Sequence, residues 1–250
     1  MTVPVLQFQG VNFAYDNEGE ILSDVTLAIE AGDFAVIAGP NGGGKSTLLK
    51  LAVGLLKPCS GSVHLCGPAG GPLPGRQIGY VAQNPGRGGR TFPATVYEVV
   101  SMGRTPLKGF CSFFNKADRH IVRHALELVD MWGYRRRLIG ELSGGQLQRV
   151  YVARALALNP EIFVMDEPAT GIDTQARERL YSLLGMLNKN LGITVVVVSH
   201  DLDRILPHSK TVMWVDRGVT YCGPAGIIPA KIRAVLTGDC QEEGGVREHA

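Results

Sequence analysis

The sequence predicts an α/β fold: a parallel sheet with helices on both faces, N-terminal antiparallel strands and an inserted helical subdomain. Three observations predict it. Apolar runs at residues 34–38, 78–82, 162–165 and 194–199 lack polar alternation, as expected of strands buried on both faces. Helical spacing follows two of them, at residues 45–54 and 174–190. Between residues 88 and 158 the strand pattern gives way to helical spacing alone.

Taken in order, residues 3–38 read as short strands, with Asp16-Asn17-Glu18-Gly19 as a turn signal. A glycine-rich loop precedes the helix at 45–54. Residues 58–75 are loop-rich, with a short strand around Val63, and residues 78–82 form the next strand. Residues 84–90 are rich in glycine and arginine. Helical spacing marks 96–103, 116–132 and 145–158. Strand and helix then alternate again from Ile162. The expected organisation is one domain over residues 1–238, with the helical insertion at about 88–158, and a polar tail at 239–250.

Composition excludes several classes. The chain has 250 residues, 45% of them hydrophobic, enough for one large α/β core. A net charge of +2 gives no general attraction to nucleic acid or anionic membrane, so no nucleic-acid partner is expected. Arg135-Arg136-Arg137 reads as solvated surface. Cys59, Cys66, Cys111, Cys222 and Cys240 are odd in number and form no C-x-x-C pair, which fits a reducing cytosol. His64 with Cys66, and His120 with His124, have metal-pair spacing but no further ligands in sequence, so packing or surface roles are favoured. The first ten residues show no signal-peptide pattern. The apolar stretch 193–198 falls far short of the about 20 residues that span a bilayer. A chain soluble by itself is expected, held at any membrane by a partner.

Gly39-Pro40-Asn41-Gly42-Gly43-Gly44-Lys45-Ser46 matches G-x-x-x-x-G-K-[ST] between a predicted strand and a predicted helix. Its glycines let backbone N–H groups wrap phosphate oxygens, and the helix N-terminus adds positive potential. Lys45 supplies a charge for the β- and γ-phosphates, Ser46 a hydroxyl for Mg²⁺, and Thr47 a contact to the α-phosphate. The competing reading is a chance glycine-rich turn.

An apolar strand ends in Asp166-Glu167. The strand brings Asp166 to the sheet's C-terminal edge, where it is expected to hold Mg²⁺. Glu167 is expected to act as general base on the attacking water. Gln83 and His200 also end strands. Gln83 is a candidate for Mg²⁺ or the lytic water, and His200 for the γ-phosphate. The catalytic candidates are therefore Glu167, His200, Gln83 and Lys45, and the Mg²⁺ candidates are Ser46, Gln83 and Asp166.

With these residues assembled, the chain resembles the nucleotide-binding subunit of an ATP-binding cassette (ABC) transporter, over roughly residues 3–225. The resemblance rests on Gly39–Thr47, Gln83, Leu142-Ser143-Gly144-Gly145-Gln146, Asp166-Glu167, the loop ending in Asp173, and His200. It implies a P-loop NTPase (ABC ATPase) core that binds ATP and Mg²⁺ and hydrolyses ATP. It also implies that Tyr15 stacks on adenine, although Tyr15 read alone is equally a strand residue. In this family two cassettes pair head to tail. Ser143, Gly144, Gly145 and Gln146 of one copy would then cover ATP held by the phosphate loop of the other. Asp173 would carry contact between the two sites. The loop before it reads Ala169-Thr170-Gly171-Ile172, where Ser-Ala-Leu is commoner. That leaves the finer coupling open.

Residues 92–104, 113–118 and 125–129 are similar to the branch that imports manganese, zinc or iron ions. Iron–siderophore importers are similar in the same region, and a soluble non-transport ABC ATPase is a further alternative. The implied partners are a second ATPase subunit, integral membrane permease subunits and an extracytoplasmic metal-binding protein. The implied location is peripheral, on the cytoplasmic face of the cell membrane.

Overall fold

The computed structural model describes residues 4–16, 19–67, 71, 77–83, 93–107, 114–227, 229 and 232. The glycine- and arginine-rich stretch at 84–90, the centre of the 16–19 turn, Cys111, Phe113, Cys240 and the 239–250 tail lie outside the described residues.

Two sheets organise the chain. β1 (Pro4–Ala14) pairs antiparallel with both β2 (Glu20–Glu30) and β4 (Ser60–Leu65). The strands β1 and β2 have 11 residues each, longer than the short strands expected from sequence. Their pairing survives the irregular pattern because its register shifts, one of them between Phe8 and Val11, where Gly10 takes a φ of 55°.

The main sheet runs β5 (Ile78–Val81), β6 (Ile162–Asp166), β7 (Thr194–Val198), β3 (Phe34–Ala38), β8 (Thr211–Val215), β9 (Val219–Pro224). All neighbours are parallel except β8 and β9. Every residue of β3, β6 and β7 is buried, which is why these strands lack alternation. Side chains still alternate between faces. Phe34, Val36, Phe163, Met165, Val195 and Val197 pack with the helices, while Ala35, Ile37, Ile162, Val164, Val196 and Val198 pack with the antiparallel sheet and α1 (Lys45–Ala52). The main sheet is thus sandwiched between a helical layer and a β-layer.

The helical layer contains α2 (Val96–Ser101), α3 (Lys116–Leu128), α4 (Gly144–Leu156) and α5 (Thr174–Leu191). Capping boxes start three of them: Thr95 with Glu98, Asn115 with Asp118, and Ser143 with Gln146. The pattern at 96–103 ends its α-helix at Ser101 and continues as a 3-10 segment, Met102–Leu107, which contains Pro106. There Gly103 packs so closely on the Arg154 carbonyl that no Cβ would fit. The α-helix expected over 116–132 stops at Leu128, and Asp130 takes a φ of 56°. A short helix, α6 (Leu202–Ile205), follows His200. No helix among the described residues is long and apolar enough to cross a membrane.

Candidate nucleotide site

The parallel strand order sets the site. β6 sits between β5 and β7, so their C-terminal ends bring residues 83, 166–167 and 200 to one edge. β3 delivers the phosphate loop to the same edge. Gly39 needs its glycine: its φ is 147°, and a Cβ there would run into the Val215 carbonyl. Gly42 (φ 78°) and Gly44 (φ 92°, the N-cap of α1) complete the turn.

Lys45 is only 5% exposed. Its Nζ donates to the carbonyls of Gly39 at 2.9 Å and Pro40 at 2.7 Å, folding the ammonium back into its own loop. Burial lowers its pKa, against the raising influence of the Glu167 and Asp166 carboxylates. Ser46 Oγ donates to Oδ1 of Asp166 at 3.1 Å. Burial pushes the Asp166 carboxyl upward, and the Glu167 charge adds to this; the Ser46 hydrogen bond, Lys50 and Lys45 oppose it.

Glu167 is the centre of the polar cluster. It has a φ of 45°, a left-handed conformation that costs a non-glycine residue about 1–3 kcal/mol. Its N–H donates to the Val198 carbonyl at 3.0 Å, which ties it to β7. Gln83 Nε2 donates to Oε2 of Glu167 at 2.5 Å, and Nε2 of His200 lies 2.7 Å from Oε1. Thr170 Oγ1 also donates to Oε2, at 3.4 Å. The carboxylate is therefore held at both of its oxygens.

A cleft of about 350 Å³ faces this cluster. Tyr15, Asn41, Gly42, Gly44, Lys45, Ser46, Thr47, Gln83 and Glu167 line it, as does Ile21, which no sequence pattern singled out. The Tyr15 hydroxyl is 3.4 Å from Oγ1 of Thr47, and its ring stacks edge-on with Phe13 at 4.9 Å. Pro40 and Gly43 belong to the same loop; Gly43 N–H donates to the Pro40 carbonyl at 3.1 Å.

The other serine–glycine turn lies elsewhere. Ser143, Gly144, Gly145 and Gln146 do not line the cleft. Ser143 Oγ accepts from the Gln146 N–H at 3.3 Å, and Gln146 Oε1 accepts from the Ser143 N–H at 3.0 Å, so both side chains cap their own helix. A Cβ on Gly144 would stand 3.6 Å from the Gly171 carbonyl, which places this turn beside the 169–173 loop. Asp173 is likewise a cap: its Oδ1 accepts from the Ala176 N–H at 2.9 Å.

Among the described residues no group of three or more His, Cys, Asp or Glu side chains is arranged to hold a metal ion. His64 instead lies 2.9 Å from Ser62 Oγ.

The sequence profile of the ABC transporter family matches residues 22–170. The chain belongs to the ABC transporter family. As an ABC cassette it has close relatives. The zinc uptake system ATP-binding protein ZurA of Listeria innocua is 38% identical over 222 residues, covering 88% of this chain and 86% of the relative. The manganese transport system ATP-binding protein MntB of Listeria monocytogenes is 41% identical over 221 residues, covering 88% and 90%. A solved dimeric bacterial ABC transporter cassette has a TM-score of 0.74 and 29% identity, covering 88% of this chain and 98% of that one. The fold is therefore that of a nucleotide-binding P-loop ATPase with antiparallel N-terminal strands and an inserted helical subdomain.

Proposed function

We propose that this ABC cassette powers import of a metal ion, zinc or manganese, through a membrane permease. The observation that carries the catalytic half is the Glu167 carboxylate, held by Gln83 and His200 beside a phosphate loop. The observation that carries the cargo half is the likeness to a zinc and a manganese ATP-binding protein.

The residues suit a nucleoside triphosphate with Mg²⁺. An ammonium carries three donors, and Lys45 now spends two of them on carbonyls of its own loop, which phosphate oxygens can replace. Gly39, Gly42 and Gly44 open the backbone for that approach. The Ser46 hydroxyl and the buried Asp166 carboxylate form a hard oxygen pair of the kind Mg²⁺ takes. Gln83 is a third candidate ligand. Bound Mg²⁺ would neutralise charge on the phosphate oxygens. Thr47 offers its hydroxyl to the α-phosphate, and Tyr15 and Ile21 supply apolar surface for the base.

Glu167 acts as the base. It accepts the proton of the attacking water at one carboxylate oxygen. Gln83 and His200 keep that carboxylate aimed, and His200 is the candidate donor to the γ-phosphate as charge develops there. Pre-set positioning of this kind accounts for most of phosphoryl-transfer catalysis.

The site is completed by a second copy. Ser143 and the Gly144–Gly145 backbone lie outside their own cleft, and their donors belong over the triphosphate of a partner cassette. The solved dimeric relative supports pairing. Closing and opening of the pair would drive the permease, which also accounts for a peripheral position at the membrane's cytoplasmic face. A groove of about 650 Å³ on the helical layer suits permease docking. Tyr97, Glu98, Arg119, Trp132, Arg135 and Arg136 are among its walls. Arg123 and Arg135 both stack over Trp132, at 5.1 and 4.5 Å. In an import system the ion would reach the permease from an extracytoplasmic metal-binding protein.

The test is uptake of radioactive zinc and manganese by a strain lacking this chain. Loss of uptake of either ion, restored by the wild-type chain and not by Glu167→Gln, is expected. Unchanged uptake of both ions would refute the cargo.

A further inference from the structure

Arg177 sits in the first turn of α5, four residues after its N-cap Asp173. Its Nη1 donates to Oδ2 of Asp201 at 3.1 Å, and its Nη2 donates to the Ile172 carbonyl at 3.3 Å. One guanidinium thus spans the 169–173 loop and the residue that follows His200. The side chains of Arg177 and Asp201 are 28% and 15% exposed, so the pair is largely shielded from water.

Asp201 is itself anchored. Its N–H donates to Ser199 Oγ at 3.0 Å, and that hydroxyl lies 3.0 Å from the Tyr181 hydroxyl of α5. Both peptide neighbours of His200 are therefore held by α5, Ser199 through Tyr181 and Asp201 through Arg177. Arg177, Tyr181, Ser199 and Asp201 share a cavity of about 160 Å³ with Glu167 and His200. Among the described residues, Nε of Arg177 is buried without a hydrogen-bond partner.

We infer that Arg177 is a positioning residue for hydrolysis: it locks the 169–173 loop to Asp201 and so fixes His200 against Glu167. The inference rests on the reading of Glu167 and His200 given above. Charge balance alone does not require the arrangement, because Arg204 Nη1 also donates to Asp201, at 3.1 Å. What distinguishes Arg177 is its second bond, to Ile172. The planar fork makes these bonds from two separate nitrogens in one fixed geometry, whereas a lysine would have to reach both acceptors from a single nitrogen on a shorter stem.

The experiment measures kcat and KM for ATP, with thermal unfolding, for Arg177→Met, Arg177→Lys and Arg204→Met. Arg177→Met is expected to lower kcat roughly 10- to 100-fold with KM changed by less than about threefold, because misplacement costs rate rather than binding. Arg177→Lys, which keeps the charge, is expected to lose several-fold in kcat at an unchanged unfolding midpoint. Arg204→Met is expected to keep its kcat. If Arg177→Met unfolds, the lysine variant decides. Wild-type kcat in Arg177→Lys, or an equal loss in Arg204→Met, overturns the inference. His200→Ala and Glu167→Gln run alongside. Full activity in these two overturns the underlying reading, whereas their inactivity beside a fully active Arg177→Met overturns the inference alone.

Discussion

Nε2 of His200 lies 2.7 Å from Oε1 of Glu167, joining the end of β7 to the end of β6. Gln83 takes the carboxylate's other oxygen. The carboxylate is thus held at both of its oxygens by side chains from two neighbouring strand ends.

Replacing Glu167 by glutamine keeps the shape and removes the proton acceptor. Hydrolysis should fall roughly 100-fold or more, the usual contribution of a general base. Nucleotide binding should persist, and light scattering with ATP should show a stable dimer. Phosphate release at the parental rate would refute the assignment.

Complementation tests the shared site. Lys45→Ala removes the phosphate ligand but leaves the serine–glycine turn, and Ser143→Arg does the reverse. Each variant alone should be inactive. Mixed, they should recover hydrolysis, because a mixed dimer contains one site with both halves intact. Failure to recover activity with both variants folded would argue for a site complete within one chain.

Asp166 gives a pH signature. Burial, aided by Glu167, raises its carboxyl above the ordinary value. A carboxyl raised in the folded state binds its proton more tightly there than in the unfolded chain. Stability is therefore lost as pH rises from below the ordinary carboxylate range through the raised folded value, and the deficit persists at neutral pH. Asp166→Asn should accordingly unfold at higher denaturant concentration than the parent at pH 7. That advantage should shrink as pH falls through the raised folded value and be gone below the ordinary carboxylate value, about 3.9. The same variant should lose Mg²⁺-dependent hydrolysis. Lower stability at pH 7 would contradict the sign.

The arginine-rich groove should bind its permease through charge. Arg119→Glu with Arg136→Glu should lower recovery of the assembled transporter at least about tenfold, an effect that added salt reproduces in the parent. ATP hydrolysis by the isolated cassette should not change. Co-purification at parental yield would exclude this face.

Much of the fold was legible because its strands are buried on both sides. Residues 34–38, 162–165 and 194–198 have no polar alternation, and short apolar runs that alternate with helical spacing fit strands covered on both faces. The lengths of β1 and β2 were not legible, since register shifts disrupt their period. Nor was the early end of the helix at Ser101, because it depends on Gly103 meeting a carbonyl some 50 residues later in the chain. Ile21 and Arg177 carried no motif. One lines the cleft from the other sheet, and the other acts through a backbone carbonyl, which leaves no trace in spacing.

By itself the sequence determined the chemical inventory: a glycine loop with Lys45 and Ser46, an Asp166-Glu167 strand end, and a second serine–glycine turn at a helix start. These are local patterns, readable because each is set by residues adjacent in the chain. Only the tertiary structure decided which parts meet. Gln83 and His200 stand 84 and 33 residues from Glu167 and reach the same carboxylate because β5 and β7 flank β6. Strand order is set by how buried faces pack, not by neighbouring residues. The same packing keeps Ser143 out of the cleft and puts Arg177 across two loops.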